Sequence, residues 1–154
     1  MSYVSEIRKL VGNHPLILPG SVVLIVNEMN ELLLKRRSDG VWELPGGLME
    51  QGESLEETAK REVLEETGFI IDDLQLLGVF SGESYDSKVV NSDEVYSVTA
   101  VYITRNITGE MKKDQEETSD LKYFNINQIP DSLTEEYRGY IMPFKESILG
   151  VNEV

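Results

Sequence analysis

The chain has no cysteine and a single histidine, His14, in 154 residues. The first absence removes disulfides and thiolate chemistry, and it fits a cytoplasmic setting. The second removes the base that most serine hydrolases need. His14 itself precedes Pro15 in a turn, and nothing near it suggests a ligand. Cations are scarce as well: 14 Lys and Arg stand against 28 Asp and Glu, a formal charge of −14. Nucleic-acid binders are usually basic, so that class is disfavoured. So negative a surface also repels free nucleotides at long range, and a substrate phosphate must be met by metal or local cations. No apolar run is long enough to span a bilayer, and the start carries no signal-peptide pattern, so no membrane partner is expected. Repeats, linkers and low-complexity tracts are missing too. Residues 1–154 therefore read as one domain, long enough to bury a proper core.

Acid is what the chain has in excess, and one stretch concentrates it. Residues 47–69, GLMEQGESLEETAKREVLEETGF, read as a glycine-rich turn followed by a helix. Ser54 and Glu57 form a capping box, and Gly68 sits where a left-handed residue closes a helix. On a wheel of about 100° per residue, Leu55, Ala59 and Val63 make the apolar stripe. Glu62 and Glu66 fall on its edge and Glu65 just beyond Glu62. Glu56, Glu57 and Lys60 lie on a solvated face, and Leu64 points away from the stripe with no evident partner.

Glu62, Glu65 and Glu66 neighbour one another, and each like-charge pair costs about 0.2–0.5 kcal/mol. The helix dipole disfavours acids at this end, and placing them against the core costs more still. A divalent cation removes all three objections, since hard oxygens are what Mg²⁺ or Mn²⁺ coordinate. Without metal, loss of the charge on Glu62 or Glu66 is expected to leave stability unchanged or slightly raised. The alternative is an ordinary acidic surface helix.

Elsewhere the periodicity predicts a helix over 3–11, a strand over 21–27 with its hairpin partner at 31–37, and strands at 74–81, 95–104 and 121–125. A closing helix follows through Leu133, Tyr137, Tyr140, Ile141, Phe144 and Ile148, kinked or split at Pro143. Short strands with a helix between them and one at each end suggest an α+β sandwich. The glycine pair Gly46-Gly47 lets backbone come close to a ligand.

The stretch 47–69 resembles the Nudix box, with Gly47, Glu53, Arg61, Glu62, Val63, Glu65, Glu66, Gly68 and Phe69 at every defined position. A weaker likeness extends upstream through Leu32-Leu33-Leu34, Arg37, Trp42 and Leu44-Pro45-Gly46-Gly47. The resemblance implies an α/β/α sandwich in which a mixed sheet is flanked by helices. It also implies Mg²⁺- or Mn²⁺-dependent hydrolysis of a nucleoside diphosphate linked to another group. Glu62, Glu65, Glu66 and the Gly46 carbonyl would be metal ligands, with Glu66 or Glu62 nearest the attacking water. Arg61 would orient Glu62 or pair with Glu53; a plain i,i+4 pair with Glu57 or Glu65 is the other reading. A further catalytic glutamate is expected from a later loop, Glu117 first and Glu116 second. Arg37 or Arg36 could contact a phosphate, and Trp42 and Tyr85 could stack on a base, although Trp42 beside Leu44 also suits the core.

Substrate candidates are ADP-ribose and other sugar nucleotides, dinucleoside polyphosphates and (d)NTPs, with loops 82–94 and 105–118 setting the choice. A monomer or homodimer is expected. The competing function is a non-catalytic nucleotide-binding sensor on the same fold. Such modules usually lose carboxylates, and this box keeps all of its own.

Overall fold

The apolar run around Val22 forms the centre of the fold. In the computed structural model, which describes residues 2–82, 86–88, 94–112 and 118–150, strand β1 covers Leu16–Ile25. Val22 and Leu24 enter one core, whereas Val23 and Ile25 enter another on the opposite face. Burial on both faces is why this strand reads as a continuous apolar run rather than an alternating one.

β1 pairs in parallel with β8 (Glu94–Thr104), from Leu16 opposite Val95 to Ile25 opposite Thr104. β4 (Gly46–Leu48) runs antiparallel on the other edge of β1. β6 (Gln75–Phe80) and β7 (Asp86–Lys88) run antiparallel to β8. Together they make a mixed sheet. A second, antiparallel sheet places β2 (Leu32–Arg37) between β10 (Thr118–Phe124) and β3 (Trp42–Glu43). β5 (Ile70–Ile71) and β9 (Ile107–Thr108) form a small ribbon.

The expected hairpin between 21–27 and 31–37 closes only at its turn. Val26 and Leu32 form an isolated bridge, and the Asn27 N–H donates to the Glu31 carbonyl. β2 then leaves β1 and pairs with β10. The reason is that both hydrogen-bonding edges of β1 are already taken, by β4 and β8. β2 still serves both cores, with Leu32 and Leu34 in one and Leu33 in the other.

Helices cover the two cores. α2 (Leu55–Thr67) lays Ala59 and Val63 over Val23, Ile25, Ala100 and Tyr102. On the opposite face, α3 (Glu135–Ile141) and α4 (Lys145–Leu149) bring Tyr140, Ile141 and Ile148. A short 3₁₀ turn, Met142–Phe144, separates them at Pro143, the split expected from that proline. The α/β/α arrangement predicted from the resemblance is therefore present. α1 (Tyr3–Val11) buries no residue, but its first N–H, on Tyr3, donates to Glu50 at 2.8 Å. Among the described residues no helix is long and apolar enough to cross a membrane.

Candidate active site

The helix that carries the acids is fixed at both ends as its sequence dictates. The Ser54 hydroxyl accepts the Glu57 N–H at 3.0 Å, and the Ser54 N–H donates back to Glu57 at 2.7 Å. Gly68, at φ 84°, returns its N–H to the Leu64 carbonyl. With α2 docked through Ala59 and Val63, the wheel settles how far each acid is covered. The side chain of Glu66 is 7% exposed, that of Glu62 17% and that of Glu65 55%. Glu56, Glu57 and Lys60 are exposed, and so is Leu64.

Strand β4 faces the acids. The Gly46 N–H donates to Glu66 Oε1 at 2.9 Å, with Gly46 at φ 148°. Gly47 packs so closely on the Glu62 carboxylate that any Cβ there would collide with it. The glycine pair thus admits two carboxylates against backbone, which a side chain would exclude.

Two residues of this site went unread in the sequence. Lys35, on β2 and 5% exposed, reaches Glu66 Oε2 at 2.8 Å and Glu43 Oε1 at 3.0 Å. Glu43 is its cross-strand partner on β3. The available signal was a lysine directly after three leucines in a strand buried on both faces, where a cation needs an acid partner. Burial alone would lower the Lys35 amine, but Glu66 and Glu43 more than offset this and hold it above its usual value. Burial also pushes the carboxyls of Glu66 and Glu62 up, against the pull of Lys35 on the first and of Arg61 on the second.

Arg61 makes the contacts of both readings, with Glu53 and Glu62 on one side and the i,i+4 contact with Glu65 on the other. Its guanidinium binds both oxygens of Glu53, lies 3.3 Å from Glu62 and 3.4 Å from Glu65, and donates to the Leu48 carbonyl at 3.1 Å. Glu57 is engaged by the cap instead. Glu53 also accepts the Glu50 N–H and the Thr58 hydroxyl, so it ties the 47–53 loop to the helix.

Arg61, foremost, holds the Glu53 carboxyl down to about 2, from an ordinary value of 4.5. A depressed folded-state value means that the stabilisation is complete above pH 4.5 and is lost as pH falls toward 2. Glu53→Gln should therefore lower stability by about 1 kcal/mol at pH 7, allowing for partial solvent screening. The gap from the unmodified protein should narrow below pH 4.5. Thermal melts of both proteins from pH 7 to 3 check this, and a constant gap would contradict it.

The remaining predicted residues are less tightly gathered. Arg37 pairs with Asp39 at 2.8 Å and lies 3.5 Å from Glu43. Arg36 is exposed. Trp42 packs edge-on against Phe124, with ring centroids 4.9 Å apart, at the margin of the core. Tyr85, Glu116 and Glu117 lie outside the described residues. A cavity of about 170 Å³ adjoins Gly46 and Gly47, lined also by Ser97, Thr99, Glu136, Tyr137 and Tyr140. Within it the Tyr140 hydroxyl lies 3.1 Å from Glu136 Oε2 and 3.2 Å from Thr99 Oγ1.

The donor set suits a hard divalent cation, because carboxylate oxygens of Glu62 and Glu66 both meet the Gly46–Gly47 backbone. Among the described residues no three acidic, histidine or cysteine side chains form a closed cluster. Glu65 leans to Arg61 and one oxygen of Glu66 is engaged by Lys35.

Residues 17–143 match the NUDIX domain family, and the chain belongs to it. It is a Nudix hydrolase, an enzyme class whose relatives are named as diphosphatases and pyrophosphatases. It is 31% identical over 134 residues to a candidate 8-oxo-dGTP diphosphatase of Bacillus subtilis (strain 168), covering 86% of this chain and 83% of that protein. It is 32% identical over 120 residues to an ADP-ribose pyrophosphatase of Methanocaldococcus jannaschii, covering 76% and 66%. Among solved structures, a MutT protein from Methanosarcina mazei Go1 aligns with a TM-score of 0.70 at 26% identity, covering 87% of this chain and 96% of that one.

Proposed function

We propose that this protein hydrolyses a diphosphate bond in a nucleoside diphosphate linked to a further group, by attack of water on phosphorus. The observation that carries this reading is the meeting of two acids, the half-buried Glu62 and the buried Glu66, on the Gly46–Gly47 backbone. Glu62, Glu66, Glu65 and the Gly46 carbonyl would hold Mg²⁺ or Mn²⁺. When bound, such an ion neutralises charge on the phosphate oxygens and acidifies water.

The side chains divide the remaining work. Glu62, whose carboxylate is the more open of the two, accepts the proton of the attacking water. Water oxygen bonds to phosphorus, the bridging oxygen leaves with its electron pair, and two phosphate products result. Arg61 keeps Glu62 oriented and anchors the loop through Glu53 and Leu48. The cavity beside Gly46 and Gly47 offers hydroxyls of Ser97, Thr99 and Tyr140 and the carboxylate of Glu136 to the polar edge of a base. Arg37, Trp42 and Tyr85 are the candidates for further substrate contacts, and Glu117 for an additional base.

Chromatographic detection of the two phosphorylated products from a panel of ADP-ribose, 8-oxo-dGTP, dinucleoside polyphosphates and canonical (d)NTPs tests the reading. Turnover should require Mg²⁺ or Mn²⁺ and vanish in excess chelator, and Mg²⁺ should raise the melting temperature by mass action. Full turnover in chelator, or none on any member of the panel with metal, would overturn it.

A further inference from the structure

We propose that Lys35 is an internal cation that occupies Glu66 and so weakens metal binding at the site while keeping the metal-free site intact. The proposal rests on the reading that Glu66 is a metal ligand. Glu66 accepts the Gly46 N–H on one oxygen and the Lys35 ammonium on the other. A divalent ion arriving at Glu66 must therefore share or displace the ammonium 2.8 Å away, and the two positive charges repel.

Lys35 cannot easily retreat. It is 5% exposed, its strand is pinned between β3 and β10, and the acid that holds its other side, Glu43, lies on the neighbouring strand at 3.0 Å. One buried ammonium thus serves two buried carboxylates. Removing it relieves the competition for Glu66 but takes the 2.8 Å cation from Glu66 and leaves Glu43 to Arg37 at 3.5 Å, a costly state for a protein without metal. The lysine trades affinity for readiness, which makes it a positioning residue rather than a catalytic one.

Mn²⁺ binding to the full chain, measured calorimetrically with Mg²⁺ as competitor, tests this alongside thermal melts in chelator. Lys35→Met should melt lower without metal, bind Mn²⁺ at least about tenfold more tightly, and gain more melting temperature from Mn²⁺ than the unmodified protein. Lys35→Arg, which keeps the charge, should bind close to normally. A purely structural lysine would lower the metal-free melt and leave affinity unchanged or weakened in Lys35→Met, which overturns the proposal.

If Lys35→Met does not fold, Lys35→Met with Glu43→Gln removes the ion pair whole and keeps the local charge constant. Tighter binding there supports the proposal and unchanged binding overturns it. Failure of the unmodified protein to bind Mn²⁺ at all would overturn the metal reading itself, and this proposal with it. Normal Mn²⁺ binding that ignores Lys35 would overturn this proposal alone.

Discussion

Glu62→Gln and Glu66→Gln should each lower kcat/KM by about two orders of magnitude or more, the usual scale for removing a preorganised charge at a reacting centre. Both changes keep size and delete the charge that faces the Gly46–Gly47 backbone. Melts in chelator should then separate the two acids. Glu62 lies close to Arg61 and partly open, so losing its charge removes some repulsion from Glu65 and costs little. Among the described residues, Glu66→Gln leaves the buried Lys35 with Glu43 as its one acid partner, and it should destabilise by about 1–3 kcal/mol. The helix wheel alone predicts no loss for either, because it does not show Lys35 against Glu66. Glu56→Gln, on the solvated face, should change neither activity nor melting. Comparable loss of activity at Glu56 would mean that the acids of this helix are structural.

Gly46→Ala and Gly47→Ala should both abolish most activity, but for different reasons that stability measurements can tell apart. At Gly46 a Cβ would meet the Ser21 carbonyl and lie 2.7 Å from Val22 Cα, and φ 148° is a conformation that L residues rarely adopt. Neither neighbour can move without moving β1, so backbone strain and overpacking together should cost about 2–5 kcal/mol. At Gly47 the obstacle is the far end of Glu62, which can swing aside. Gly47→Ala should therefore keep a near-normal melt in chelator, while turnover falls at least as far as in Glu62→Gln. Equal destabilisation by the two changes would show that Glu62 is fixed as firmly as backbone.

How much of this was legible depended on how local each determinant is. The cap at Ser54 and Glu57, the stop at Gly68 and the deeper burial of Glu62 and Glu66 than of Glu65 follow from helix periodicity and are readable within one turn or two; that Glu66 lies deeper than Glu62 is not. The pairing of β2 was not, since it depends on β8 having claimed the edge of β1 some seventy residues later in the chain. Lys35 escaped for the same reason: its partners come from β3 and α2, and no local pattern links them. Leu64 was left without a partner on the wheel, and at 51% exposed it stays on the surface, as single apolar residues often do.

The parallel pairing of β1 with β8 also bears on when the site can exist. The motif 47–69 is complete early in synthesis, yet the floor on which α2 lies includes Ala100 and Tyr102. β1 has no stable neighbour along its long edge until the segment from Val95 to Thr104 has emerged. Joining strands so distant in sequence is slow, because the intervening loop must close before any ladder bond is gained. A nascent chain that already carries every acid of the box therefore offers the helix only part of its floor, Val23 and Ile25 without Ala100 and Tyr102, and the far strand completes the core beneath the acids.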